Sequence, residues 1–137
     1  MMNGEILGGK LLPECDLALW RLVEEITWRF ACLEKLPLTG VEPLRTHGES
    51  KLAGWCDTRT GRIAIALRFS KRGRWRKKTL SVNFIADTIA HELAHLRHRK
   101  ESKKHRKYTQ IILDNMFEEG VFTELRKQRY IYGKTTK

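Results

Sequence analysis

Residues Leu80–Arg99 read LSVNFIADTIAHELAHLRHR, and this stretch decides the fold. Phe84, Ile85, Ile89, Leu93 and Leu96 recur at helical spacing, which predicts one long amphipathic helix with Ser81 as its N-cap. Near its end stands His91-Glu92-Leu93-Ala94-His95, an H-E-x-x-H pattern. Residues four apart share one helix face, so the two imidazoles can converge on one zinc ion at about 2.0–2.1 Å. Glu92 is turned about 100° away from His91, too far round to be a ligand on the same axis. It is placed instead to take a proton from a water activated by the metal and pass it to a leaving amine. With five histidines and twelve glutamates in 137 residues, the pattern is expected by chance about 0.02 times. Leu93 belongs to the apolar stripe, and Ala94 is small enough to let another backbone approach.

A catalytic zinc usually has three protein ligands and an open position. The candidates for the third are His98, Glu101, His105, Glu118 and Glu119. His98 follows His95 by only three residues and sits a full turn beyond the ion, on the basic face. His105 comes after a basic stretch long enough to reverse the chain, at the start of a helix predicted from about Arg106 to Glu119 and stopped by Gly120. Glu118 and Glu119 compete, but thirteen helical residues rise roughly 20 Å, so they and His105 exclude one another. His105 is the assignment, with Tyr108 and Ile112 expected to pack on Leu93 and Leu96.

Upstream, Pro13 to Lys35 reads as a helix with Asp16 as a plausible N-cap, Trp20 and Trp28 in the core, and Pro37 and Gly40 ending the segment. Lys51–Cys56 and Arg62–Phe69 flank the turn Asp57–Gly61 and read as a hairpin. In its second strand Ile63, Ile65, Leu67 and Phe69 share the core face, and Arg62 and Arg68 share the other. Lys71–Lys78 holds six basic residues in eight and reads as a solvated loop. Downstream, Val121–Tyr132 is helix or strand, and 133–137 a frayed tail. The fold class is α+β: an N-terminal helix, a small antiparallel or mixed sheet, and the H-E-x-x-H helix packed against a further helix, all in one domain over residues 1–137.

Charge and composition narrow the function. The net charge is +11, and it is uneven: residues 1–60 carry seven basic and nine acidic side chains, residues 61–137 twenty and seven. This points to a polyanionic partner. Arg72, Arg74, Trp75, Arg76, Lys77 and Lys78, with Lys103 and Lys104 in the second basic run, are the candidate nucleic-acid contacts, because cations neutralise phosphates and an exposed Trp stacks on an unpaired base. No apolar run approaches 18 residues, so no membrane span is expected, and Met1–Lys10 lacks the layout of a secretion signal. Cys15, Cys32 and Cys56 are odd in number and form no C-x-x-C, which fits reduced thiols in a cytoplasmic protein.

His91-Glu92-x-x-His95 followed by His105-x-x-Tyr108 resembles the SprT-like zinc metallopeptidases and the shorter, related YgjP-type proteins. The order of elements is similar too: a helix, a Gly-aromatic strand at Leu52–Trp55, an apolar strand at Arg62–Phe69, then the active-site helix. The resemblance covers about residues 15–118. The interval between His95 and His105 is longer than the YgjP-type one and shorter than the SprT one, and the C-terminal zinc ribbon of many SprT-like proteins is absent. The resemblance implies one Zn2+, peptide-bond hydrolysis of a protein or peptide substrate and, in some members, action on proteins crosslinked to DNA. Two other readings use the same residues. One is a nucleic-acid-binding module with a non-catalytic metal site; the other is a small toxin-like protein hydrolysing something other than peptide.

Overall fold

A computed structural model of the chain describes residues 11–46 and 52–135. The architecture is α+β, with four helices, a three-stranded mixed sheet and a two-stranded hairpin. Helix α1 spans Leu17–Leu33, strand β1 Gly40–Pro43, β2 Gly54–Asp57, β3 Arg62–Ile65, β4 Ser70–Lys71 and β5 Arg74–Trp75. Helices α2 (Val82–His95), α3 (Lys103–Glu118) and α4 (Val121–Thr135) follow.

The expected β2–β3 hairpin is present and antiparallel, with Trp55 opposite Ala64 and Asp57 opposite Arg62. Its turn needs Gly61, whose φ of +85° suits glycine, and a Cβ there would lie 2.4 Å from the Pro37 carbonyl. Strand β1 adds to the other side of β3 in parallel, so β3 is central and the sheet is mixed. Helix α1 packs on β1, α2 on β2 and β3, α3 on α2, and α4 on the other three helices. Their shared core includes Val23, Ile26, Phe30, Ile63, Ile65, Ile89, Leu93, Ile112, Met116 and Leu125.

Several boundaries differ from the sequence expectation, each for a physical reason. Helix α1 starts at Leu17 after a 3-10 turn, and Asp16 does not cap it. The Asp16 carboxylate instead takes both ends of the Arg68 guanidinium, at 2.7 and 3.0 Å. Arg68 is therefore not on a solvent-facing strand surface: it is 5% exposed and Asp16 0%. Strand β3 ends at Ile65, and beyond it the Leu67 carbonyl accepts from Leu80. At the end of α1, Lys35 has φ +56°, with its N–H on the Cys32 carbonyl and that of Leu36 on Ala31. This is the Schellman pattern without its usual glycine, and it stops the helix ahead of Pro37.

Trp20 is buried as expected, but Trp28 is 41% exposed and lies outside the core. Phe84, placed on the buried stripe of α2, is 40% exposed and meets Phe69 edge-on. Lys71–Lys78 is not all loop: it contains most of the β4–β5 hairpin, turned through Arg72 and Gly73, both at positive φ. Helix α2 starts at its Ser81 cap, whose hydroxyl accepts from Phe84, and stops at His95, four residues short of Arg99. Val121–Thr135 is helix, so residues 133–135 belong to α4 and not to a tail. Met1–Lys10, Lys51 and the last two residues lie outside the described residues.

Arg68 also donates to the carbonyls of Arg76 and Lys77, so one buried ion pair holds the start of α1 and the exit of the hairpin together. Removing one partner of a buried pair leaves the other charge without compensation. Asp16→Ala is expected to lower the unfolding free energy by about 3–5 kcal/mol in urea titration. A loss well under 1 kcal/mol would show that the pair does not hold this junction.

Candidate metal centre

The site is built by the chain reversal between α2 and α3. Helix α2 ends as its last N–H groups tighten: Leu96 N–H bonds the Leu93 carbonyl and Arg97 N–H that of Ala94. The Arg97 guanidinium then donates to the Glu34 carbonyl at the end of α1 and lies 4.4 Å from the centre of the Tyr108 ring. Helix α3 begins at Lys103, three residues earlier than expected, because the Ser102 hydroxyl caps it by accepting from the His105 N–H at 3.2 Å. That cap puts His105 in the first turn, on the face against α2. Tyr108, one turn on, is buried and donates its hydroxyl to Glu34 at 2.7 Å.

His91, His95 and His105 come together with Glu101: one donor atom from each lies within 4.8 Å of the others. Donors about 2.1 Å from one tetrahedral ion stand about 3.4 Å apart, so the set closes on a metal by drawing in by about 1.4 Å at most. The imidazoles of His95 and His105 stack at 3.9 Å, and His91 stands edge-on to both.

Two of the rings have their tautomers fixed by the backbone. His105 Nε2 is 3.0 Å from the His91 carbonyl, and His95 Nδ1 is 3.1 Å from the His98 carbonyl. A carbonyl only accepts, so these nitrogens carry the hydrogens. The opposite nitrogens, Nδ1 of His105 and Nε2 of His95, then offer lone pairs. Both face the Glu101 carboxylate, at 3.1 and 3.8 Å. Nδ1 of His105 is the buried side-chain polar atom that, among the described residues, makes no hydrogen bond. Its short distance to Glu101 sets acceptor against acceptor. Burial holds the His105 pKa below its ordinary value, so a proton there is disfavoured. A cation among these atoms resolves the conflict, and imidazole with carboxylate is a donor set that zinc takes. The residues fit a metal ion.

Glu92 is buried beside this cluster and is not among the four donors, as its angle on the helix requires. Burial first, and the Glu101 carboxylate second, push its carboxyl up to about 7. Strand β2 closes the other side. A Cβ on Gly54 would stand 2.7 Å from the Ala64 carbonyl, 2.9 Å from Thr88 Cγ2 and 3.4 Å from Glu92 Cγ. Only glycine lets β2 lie this close to the helix carrying Glu92. Cys56, two residues on, is half-buried, and burial with the Glu92 charge raises its thiol pKa to about 12. None of the three cysteines forms a disulfide.

The other candidates divide. His98 sits against Tyr108 and is not a donor, as expected, though its carbonyl holds His95. Glu118 and Glu119 are exposed at the far end of α3 and are not donors. Glu101 is a candidate by residue type, and the one sequence signal for its placement is the Ser102 cap just after it. Arg72, Arg74, Arg76, Lys77 and Lys78 are exposed on and after the hairpin, and Lys103 and Lys104 on the first turn of α3. Trp75 is not a free stacking platform: it is half-buried, with its indole N–H on the Leu11 carbonyl at 2.9 Å. It lines a cleft of about 590 Å³ with Phe69 and Leu80 under five cations, Lys71, Arg74, Arg76, Lys77 and Lys78. Among the described residues, no helix is long and apolar enough to cross a membrane.

No family model, curated protein or solved structure matches the chain. His105→Ala is expected to weaken zinc binding by well over the ~100-fold upper range of an outer-shell loss, while Glu118→Ala and Glu119→Ala leave it unchanged. Competition with a zinc chelator reads this directly, and zinc retention by His105→Ala would remove it from the donor set. Gly54→Ala is expected to destabilise the fold by about 1–3 kcal/mol, through overpacking of β2 on α2. Thermal unfolding checks it, and an unchanged melting temperature would mean that β2 can move away freely.

Proposed function

We propose that this chain is a zinc-dependent metallopeptidase, SprT-like in its residues, acting on a protein or peptide substrate near DNA. The observation that carries the reading is the convergence of three imidazoles from two helices, two of them held by backbone carbonyls, with Glu92 buried next to them. His91, His95 and His105 would hold the ion. Zinc bound there supplies Lewis acidity, polarising a water or a peptide carbonyl.

Glu92 does the proton work. Its carboxylate takes the proton of the attacking water and delivers it to the amine as the peptide bond breaks. The wall that β2 forms beside it, with no side chain at Gly54, keeps that carboxylate in a narrow, water-poor slot. A peptide substrate is favoured by the position of β2 at the edge of the sheet, where an extended chain can add as a further strand. Action near DNA is supported by the cationic cleft at the hairpin. It combines five charges with the apolar floor of Phe69, Trp75 and Leu80, the composition suited to an unpaired nucleotide.

Glu92→Gln is the decisive variant, because the side chains are nearly equal in size. It is expected to keep bound zinc, measured by elemental analysis, and to lose peptide hydrolysis by at least the ~10²-fold typical of a general base. Loss of zinc would make Glu92 structural, and retained hydrolysis would remove it from the reaction. For DNA, affinity is expected to fall steeply with salt, and replacing Arg74, Arg76, Lys77 and Lys78 with Ser to flatten the dependence. Absence of binding at low salt would leave the charge as a solubility feature.

A further inference from the structure

Glu101 has a place that the three-histidine reading does not use. It lies in the short connection between α2 and α3, one residue before the Ser102 cap. Its carboxylate spans the whole cluster: Oε1 is 3.0 Å from His91 Nε2 and 3.8 Å from His95 Nε2, and Oε2 is 3.1 Å from His105 Nδ1. The contacts described for this carboxylate are all with the imidazoles. The exposure of the four side chains is graded: 0% for His105, 13% for His95, 39% for His91 and 62% for Glu101. Glu101 therefore covers the solvent side of the donor set, while the histidines form its floor.

Three protein donors leave a metal with an open position, and four close it. Resting on the metallopeptidase reading above, we propose that Glu101 is a displaceable fourth ligand that closes the metal position at rest and swings out to admit substrate. The histidines are suited to stay. They sit on two packed helices, and two are pinned by carbonyls. Glu101 is suited to leave. It is anchored only through a loop backbone, its side chain is 62% exposed, and a substrate carbonyl or a carboxylate product offers the ion an oxygen in its place. The chemical class that competes with it is an oxygen donor that chelates or bridges the metal, such as a hydroxamate.

The test uses the full chain loaded with Co(II), whose visible spectrum reports the number and kind of donors. Wild type, Glu101→Ala and His105→Ala are titrated with the metal and then with acetohydroxamate. Glu101→Ala is expected to shift the Co(II) spectrum and to weaken the metal about 10-fold or more, though less than His105→Ala does. It is also expected to bind acetohydroxamate at least about 10-fold more tightly than wild type, because nothing has to be displaced. An unchanged spectrum and hydroxamate affinity would show that Glu101 is not a ligand. Metal loss as complete as that of His105→Ala would make it a permanent ligand; either result overturns the proposal. These readouts do not need turnover. Absence of peptide hydrolysis by both wild type and Glu101→Ala, with the spectral differences intact, would count against the peptidase reading alone. Failure of wild type to take up Co(II) would overturn both.

Discussion

The site depends on one buried hydrogen bond, from Nε2 of His105 to the carbonyl of His91. It joins the first turn of α3 to the last turn of α2, and it does so with the ring fully inside the protein. A buried imidazole donor without a partner costs roughly 1–3 kcal/mol, so α3 has a strong preference for the position that satisfies it. Once satisfied, the bond leaves no freedom in the other nitrogen: its lone pair must face His95 and Glu101. The orientation of this candidate donor atom is thus a consequence of helix packing.

The rest of the molecule holds that packing in place from behind. Glu34, at the end of α1, accepts from Tyr108 and Asn115 on α3, and its carbonyl accepts from Arg97 just past α2. The end of α1, the exit of α2 and the body of α3 therefore meet at one residue. Burial and this neighbour push the Tyr108 hydroxyl well above its usual range, so it stays a donor at every physiological pH. On the opposite side, Arg29 of α1 pairs with Glu124 of α4, and Arg129 bonds Thr79 ahead of α2.

What could be seen in the sequence was what repeats or lies close together along the chain. His91, Glu92 and His95 declare themselves because a helix has a fixed period, and His105 because a charged, glycine-free connection is long enough to reverse. The hairpin at Asp57–Gly61 carries its own turn chemistry. Hidden were the choices that distant residues make. Arg68 looks solvent-facing on alternation alone, and only Asp16, 52 residues earlier, makes its burial affordable. Trp28 has the right residue type for the core and the wrong angle on α1. Glu101 is a loop side chain, and no periodicity aims a loop side chain. Trp75 looks exposed among its charged neighbours, but the Leu11 carbonyl draws its indole inward.

The four donors fall between positions 91 and 105, whereas the sheet and α1 come from the preceding half of the chain. Joining two points so near in sequence costs little loop entropy, because the penalty grows with the logarithm of the intervening length. The two-helix unit is also local in the sense that governs folding speed, since its contacts need no long-range pairing to form first. The candidate donor cluster is thus a short-range unit of the chain. The wall beside Glu92 is long-range: it comes from β2, more than thirty residues upstream, whose Gly54 lies against the helix.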